Sequence, residues 1–393
     1  TPVPHALVYI QGSTGVVACV RNVQKFIIKA DENGTYTLYG CEWAWWEKNP
    51  VYTIYGFVVQ PYGPISAAPD LGKYGEKEVG FIKLRFTGIH PEIRNTVVTN
   101  CSSIVLWDFI KQSNLAPFED PEIVIYEFPS HSLPVEEGYG WLTQPYETEA
   151  VIWHAPNIPF EIRIGTVADP NPYIILINAS DVYPEGTGYR LSHGQQIFLT
   201  PTDYAQNLFY LDDARLTKCR EHSIIIKHVE DVHADTKKLL ANAINALHEK
   251  KYDAYYLASI NAWSKERVVY RNTRNTMYNA INTVIFFALL MVPFSVLMER
   301  FLFETTSSLR RLVYIGLIFS IFILILYFMH PGLHMSYSVF MAIFGFALTC
   351  FIALIIVILL SRTTLIFREL RPISTVHYAE ISRVSAIFMS FSL

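Results

Sequence analysis

The longest apolar run lies near the end of the chain, at residues 312–361. These 50 residues contain no Asp, Glu, Lys or Arg. Pro331 and Gly332 divide the run into two arms, because a Pro-Gly pair ends a helix and starts a turn. Each arm is long enough for a helix to cross a hydrocarbon layer of about 30 Å. The pattern predicts two transmembrane helices, at residues 312–330 and 336–361.

A second helical stretch precedes this run, since residues 233–292 contain neither Gly nor Pro. Its apolar positions recur at helical spacing, at Leu240, Ile244, Leu247, Ala254, Ala258 and Ala262. Residues 233–276 therefore predict a long helical stalk. Residues 278–298 contain no charged side chain and predict a further transmembrane helix. Pro293 lies within this segment, and proline is tolerated in transmembrane helices. The alternative is two ordinary helices with a bend near Asn272 and Thr273.

The first 232 residues follow the shorter period of β-strands. Phe26 and Ile28 alternate before the segment Asp31-Glu32-Asn33-Gly34, and Tyr36 and Leu38 alternate after it, which predicts a hairpin. Further strands are predicted in ALVYIQG, VYTIYGFVVQP, SSIVLWDFI, EIVIYEF, EAVIWHA, FEIRIGTV, YIILINA, QQIFLT and HSIIIKHV. A short helix around IVLWDFIKQSN is an alternative for one of them.

The segments GVVACV and DENGTYTLYG resemble the carboxypeptidase-regulatory-like β-sandwich over roughly residues 6–60. This resemblance implies a sandwich domain at residues 1–90. A second β-rich or α+β unit is then expected at residues 91–232.

The arginines predict the orientation in a membrane. Seven of them flank the predicted spans on one side, namely Arg300, Arg310, Arg311, Arg362, Arg368, Arg371 and Arg383. The turn at residues 330–336 has neither Lys nor Arg. Because positive loops stay in the cytoplasm, residues 299–311 and 362–383 are predicted to be cytoplasmic. Residues 1–276 are predicted to be extracytoplasmic, in a multi-pass protein of the cell membrane.

The search for chemistry gives few candidates. A net charge of −4 and a pI near 6.3 do not suggest nucleic acid as a partner. The chain has no G-x-x-x-x-G-K-[ST], G-x-S-x-G, H-E-x-x-H or C-x-x-C motif, so we expect no enzyme, no cofactor and no metal. His228 and His233 with Asp231 and Asp235 are interpreted as helix capping and solvation. Trp43, Trp45 and Trp46 form an aromatic segment that either stacks on a ligand or belongs to a β-sandwich core.

Four cysteines, Cys19, Cys41, Cys101 and Cys219, precede the predicted spans and allow three disulfide pairings. Free buried thiols are an equally good interpretation. The chain starts without Met and ends inside an apolar run, so we expect it to be part of a longer protein. Residues 362–393 are predicted to lead to a further span.

An outside domain, a helix leading into a span, a short basic loop and a two-helix hairpin follow one another here. This order is similar to that of FtsX/MacB-like permease subunits of ABC transporters. The resemblance implies a span before Thr1 and a coupling loop at residues 299–311 that touches a separate ATPase chain. Its contact residues would be Arg300, Phe301, Leu302, Phe303, Arg310 and Arg311. The family's usual E-I-G-x-x-[RK]-[AT]-x-G-A run is absent there.

Together these patterns predict a multi-domain membrane protein. It has a β-rich extracytoplasmic domain (a sandwich plus an α+β unit), a long helical stalk and three transmembrane α-helices. The expected function is that of a permease subunit handling lipid, lipoprotein or peptide cargo. Its expected partners are an ABC ATPase subunit, membrane lipid and a second permease copy. The alternative is a membrane-anchored receptor or adhesion protein whose β-domain binds carbohydrate or protein.

Overall fold

The structure is a computed structural model. It describes residues 1–13, 23–39, 51–72, 82–85, 95–118, 121–135, 138–143, 148–166, 169–304 and 307–330, with the single residues Gly345 and Thr363. The chain divides into two compact units. The first comprises residues 1–220 and 225–274, and the second comprises residues 221–224 and 275–393.

The first unit opens with an antiparallel sheet of six strands. They are β1 (Leu7–Ser13), β2 (Val23–Lys29), β3 (Val51–Val59), β4 (Ile65–Ala68), β5 (Ile82–Arg85) and β6 (Thr99–Asn100). Their order is β2-β1-β3-β4-β6, with β5 paired to β3. Val8 and Ile10 of β1 are buried with Tyr52 and Ile54 of β3. The alternation of side chains along each strand places these four residues on one face.

The predicted turn at Asp31 forms as expected. The carboxylate Oδ1 of Asp31 accepts hydrogen bonds from the backbone N–H groups of Asn33 (2.9 Å) and Thr35 (2.7 Å). Gly34 has a φ of 73°, in the left-handed region. The predicted hairpin is only half correct, because residues 35–39 form no strand and β2 pairs with β1 instead.

Replacing Gly34 with Ala is expected to lower the free energy of unfolding by about 1–2 kcal/mol, since a side chain is disfavoured at positive φ. A Cβ at Gly34 would also lie 2.9 Å from the backbone nitrogen of Val3. Urea denaturation followed by circular dichroism measures the loss. Gly63 is the matched control, because its φ is 98° but nothing lies within 4 Å of its Cβ position. Equal losses in the two variants would show that the contact with Val3 is unimportant.

The rest of the first unit contains two further sheets and a small ribbon. One sheet has the order β11-β12-β7-β15 and the other β10-β13-β14, while β8 pairs with β9. The bounds are β7 (Ser102–Leu106), β8 (Ile110–Lys111), β9 (Ala116–Pro117), β10 (Glu122–Glu127), β11 (Gly140–Thr143), β12 (Ala150–His154), β13 (Phe160–Thr166), β14 (Asp169–Leu176) and β15 (Gln196–Leu199). The segment IVLWDFIKQSN thus forms strands, not the alternative helix.

Four helices follow in the described part of the chain, α1 (Pro201–Glu221), α2 (Lys227–His248), α3 (Tyr252–Leu302) and α4 (Ser308–Met329). Helix α1 was not predicted, and the strand predicted in HSIIIKHV is wrong because α2 begins within it. In the first unit the helices pack on the sheets. Tyr204 and Leu208 of α1, Leu240 of α2, and Ile260 and Trp263 of α3 are buried in one core with strand residues.

The predicted stalk is wrong. Residues 233–276 are shared between α2 and α3, which are separated by a turn at residues 249–251. Lys250 follows the end of α2 with a φ of 59°, a left-handed conformation that is usually taken by Gly after a helix. The predicted apolar stripe is also divided, because Leu240 and Ala262 are buried in the core of the first unit whereas Ile244 and Leu247 are exposed.

The predicted set of three transmembrane helices is also wrong, and the fold is one of mixed sheets plus helices. Within the described residues, one helical segment, Arg310–Met329, is long and apolar enough to span a membrane. The span predicted at residues 278–298 is no separate helix but a part of α3. The span predicted at residues 336–361 lies outside the described residues, apart from Gly345. The multi-pass arrangement is therefore not supported.

Candidate functional site at the helical hairpin

In the second unit, the end of α3 and the whole of α4 form an antiparallel hairpin. Three aromatic contacts lie along its length. The ring of Phe303 stacks on Tyr314 (centroids 4.5 Å apart), that of Phe294 meets Phe322 edge-on (5.2 Å), and Phe287 meets His330 (5.8 Å). Phe303 and Phe287 are 16 positions apart, as are Tyr314 and His330. The two helices therefore run side by side over about 24 Å at 1.5 Å per residue.

The hairpin has a small apolar cluster between its helices and an apolar outer surface. Val284 and Leu326 are buried against each other, with Met291, Ile323 and Tyr327 around them. Large exposed apolar side chains cover the outside, namely Phe286, Leu290, Phe294, Leu297, Leu312, Val313, Leu317, Ile321, Leu324, Ile325, Phe328 and Met329. An apolar surface of this extent marks contact with lipid or with another protein.

A buried ion pair fixes the turn between the helices. The carboxylate Oε2 of Glu299 in α3 accepts from the Nε–H of Arg311 in α4 at 3.1 Å. The Glu299 side chain is fully buried, whereas that of Arg311 is 32% exposed. The backbone carbonyl of Glu299 also accepts from the N–H groups of Phe303 (2.9 Å) and Glu304 (3.2 Å). One residue therefore holds the end of α3, the turn and the start of α4.

The structure brings the predicted coupling residues together at this turn. Phe301, Leu302 and Phe303 are exposed at the end of α3, with Phe301 85% exposed. Arg300 and Arg310 are exposed on either side of the turn. Arg311 differs from the prediction in that it faces inward to Glu299. The turn thus presents an exposed group of three apolar and two basic side chains beside the Glu299–Arg311 ion pair.

The other predicted site residues give no site. Trp43, Trp45 and Trp46 lie outside the described residues. Among the residues that are described, no group of His, Cys, Asp and Glu could hold a metal ion. Cys101 and Cys219 are free and buried, and burial raises the pKa of the Cys101 thiol to about 12.

Two candidate residues were not predicted from the sequence. Glu299 was predicted only as the first residue of the coupling loop, and no role was predicted for the buried carboxyl of Asp212 in α1. A signal exists for Asp212, because it lies four positions from the buried residues Leu208 and Leu216 and thus on the apolar face of its helix.

No protein family matches this chain, and neither a curated protein nor a solved structure matches it. The resemblances to the carboxypeptidase-regulatory-like sandwich and to the FtsX/MacB-like permeases therefore stay predictions.

Proposed function

We propose that this chain is the permease subunit of an ABC-type transporter or mechanotransmission complex. In this proposal an ATPase on a separate cytoplasmic chain binds the exposed residues of the 299–311 turn. ATP hydrolysis on that chain then moves the hairpin. The extracytoplasmic part of the protein handles lipid, lipoprotein or peptide cargo. The observation that carries the proposal is the exposed apolar and basic group, centred on Phe301, at the end of an apolar hairpin.

The proposal places α4 across the membrane with the second half of α3 beside it. The support is the antiparallel register, since a helix packed along a spanning helix for about 24 Å shares most of a hydrocarbon layer of about 30 Å. Apolar side chains at the helix centre favour insertion by about 0.3–0.6 kcal/mol each. Arg300, Arg310 and Arg311 favour a cytoplasmic position for the turn. Residues 1–276 are then extracytoplasmic.

The shape of the turn suits a contact that transmits force. Exposed aromatic and arginine side chains are enriched where proteins bind each other, whereas Lys and Glu are depleted there. Phe301 projects from a base held by the Glu299–Arg311 ion pair. A partner that moves this side chain would therefore act on both helices at once.

Replacing Phe301 with Ser is expected to reduce co-purification of the ATPase subunit at least tenfold, because truncating a central aromatic contact costs about 2 kcal/mol or more of binding energy. The measurement uses the full-length protein in mild detergent, isolated from its native membrane. The amount of a nucleotide-binding chain is then quantified by mass spectrometry.

Phe328 is the matched control. It is 72% exposed and lies at the far end of α4 from the turn. The Phe328→Ser variant should retain the ATPase subunit. If the unaltered protein brings down no nucleotide-binding chain, the permease proposal fails. A surface receptor or adhesion protein anchored by this hairpin would then be the better description.

A further inference from the structure

Helices α1, α2 and α3 enclose a cluster of charged side chains inside the first unit. The Nδ1 atom of His233 in α2 lies 2.9 Å from Oε1 of Glu266 in α3, and its Nε2 lies 3.3 Å from Oδ1 of Asp213 in α1. The imidazole stacks on the ring of Phe209, with the ring centroids 4.4 Å apart. The imidazole of His233 is thus held by the carboxylates of Glu266 and Asp213 and by the ring of Phe209.

The buried carboxyl of Asp212 faces that of Glu266. Asp212 in α1 and Glu266 in α3 are both fully buried, and their carboxyl groups lie close enough to interact. In the described part of the chain, both oxygens of Asp212 and the Oε2 of Glu266 have no N–H or hydroxyl donor. The nearest cation, Nη1 of Arg215, is 3.7 Å from Asp212. Ionised carboxylates only accept hydrogen bonds, so two of them can bond to each other only through a proton.

We propose that Asp212 and Glu266 form a proton-binding site, which holds one shared proton at neutral pH and thereby joins α1 to α3. Asp212 and Glu266 are called the acid pair below. The proton closes a carboxyl–carboxylate hydrogen bond inside the helical layer. Its loss leaves two like charges in a water-poor site, which pushes α1 and α3 apart.

The charges around the acid pair agree with a bound proton. The groups that face it are Asp212, Asp213 and Arg215 from α1, His233 from α2, and Glu266 from α3. Burial, together with the neighbouring charge of Glu266, holds the pKa of Asp212 well above its ordinary value. Burial also raises the pKa of Glu266, although His233 opposes this effect. Burial alone would lower the pKa of His233, but its bonds to Glu266 and Asp213 raise it.

The direction of the pH dependence follows from these shifts. An acid whose pKa is raised in the folded state keeps its proton after the unfolded chain has lost it, so it stabilises the fold less as pH rises. His233 acts in the same direction, because a raised histidine pKa gives stability that is lost as pH rises through the folded value. The first unit should therefore become less stable from mildly acidic to alkaline pH.

Asp212→Asn tests the site in the full-length protein in detergent. The amide needs no bound proton, so the melting temperature of the variant should fall less between pH 5 and pH 9 than that of the unaltered protein. The two falls in melting temperature should differ by at least about 3 °C, which is the effect of a pKa shift of one in a folded part of this size. Infrared spectroscopy in D₂O at neutral pH should show a protonated carboxyl in the unaltered protein that is absent from the variant.

Two further variants complete the test. Asp231→Asn changes an exposed carboxylate on α2 and should leave both the infrared band and the pH profile unchanged. Glu266→Gln removes the other half of the acid pair and should also remove the band, which keeps the test valid if Asp212→Asn does not fold. An unaltered protein with no protonated carboxyl at neutral pH, or parallel pH profiles for all variants, would overturn the proposal.

Discussion

Replacing Trp263 with Ala is expected to lower the free energy of unfolding of the first unit by about 3–5 kcal/mol, the usual cost of deleting a buried aromatic side chain. Trp263 is fully buried. Its indole N–H donates to the backbone carbonyl of Tyr173 at 3.0 Å, and its ring meets that of Tyr204 edge-on at 5.2 Å. The substitution therefore leaves a cavity between α1 and α3 and removes a donor from a carbonyl of β14. Urea denaturation followed by far-UV circular dichroism measures the effect.

Trp107 provides the comparison, because it is 44% exposed and its ring meets only that of Phe198, at 6.4 Å and tilted, among the aromatic contacts of the described residues. Trp107→Ala should cost about 1 kcal/mol or less, as expected for a partly exposed position. This pair of variants separates the observed fold from the predicted stalk. A solvated stalk helix would give Trp263→Ala the small effect of a surface substitution.

The second large effect is expected at the hairpin turn. Replacing Arg311 with Ala takes away the cation that faces the fully buried carboxylate of Glu299. Removing one partner of a buried ion pair costs about 3 kcal/mol. The backbone N–H groups of Phe303 and Glu304, which donate to the carbonyl of Glu299, should then exchange with solvent roughly 100-fold faster, since about 1.4 kcal/mol corresponds to a factor of ten. Hydrogen-exchange mass spectrometry of the protein in detergent detects this change.

Arg300 is the control for this prediction, because it is an exposed arginine on the same turn. Arg300→Ala should leave the exchange of Phe303 and Glu304 unchanged. A double variant, Glu299→Gln with Arg311→Leu, removes the buried charge together with its partner and should recover most of the protection. If Arg311→Ala exchanges like the unaltered protein, the ion pair does not hold the turn.

The strands and one turn were predictable because their signals are local. Alternation identified β1, β3, β10, β12 and β13, and the Asp31 side chain formed the turn that its sequence indicates. The pairing of β2 was not predictable in the same way. Residues 35–39 follow the turn directly, yet β2 pairs with the earlier strand β1. Tyr36 and Leu38 still pack against the same core as Phe26 and Ile28, but without forming a strand.

The helices show where a composition argument fails. Thr200-Pro201 followed by Asp203 is a helix-start signal, and the Asp203 carboxylate does accept from the backbone N–H of Thr200 at 2.7 Å. The sequence therefore carries a start signal for α1, although α1 was not predicted. By contrast, α2 ends at His248, and the left-handed residue that follows it is Lys250, not the Gly that usually occupies such a position. The absence of Gly and Pro therefore did not mean that residues 233–276 form one helix.

The candidate sites differ in the same way. The exposed residues of the 299–311 turn could be named from the sequence, since they lie next to each other between two apolar stretches. The acid pair could not be named as a pair, because Asp212 and Glu266 are 54 positions apart and meet only when α1 packs on α3. The sequence indicates only Asp212, because this polar residue lies on the apolar face of α1.

The parallel pairing of β15 with β7 has a consequence for biosynthesis. Ser103 in β7 donates from its hydroxyl to the side chain of Gln196 in β15, which follows 93 positions later. While the ribosome makes the intervening segment, one edge of β7 stays without its neighbour. Contacts between such distant segments form slowly because a long loop must first close. A nascent chain that stalls before residue 200 would therefore expose a β-edge to aggregation, and a chaperone that covers this edge would protect it during that interval.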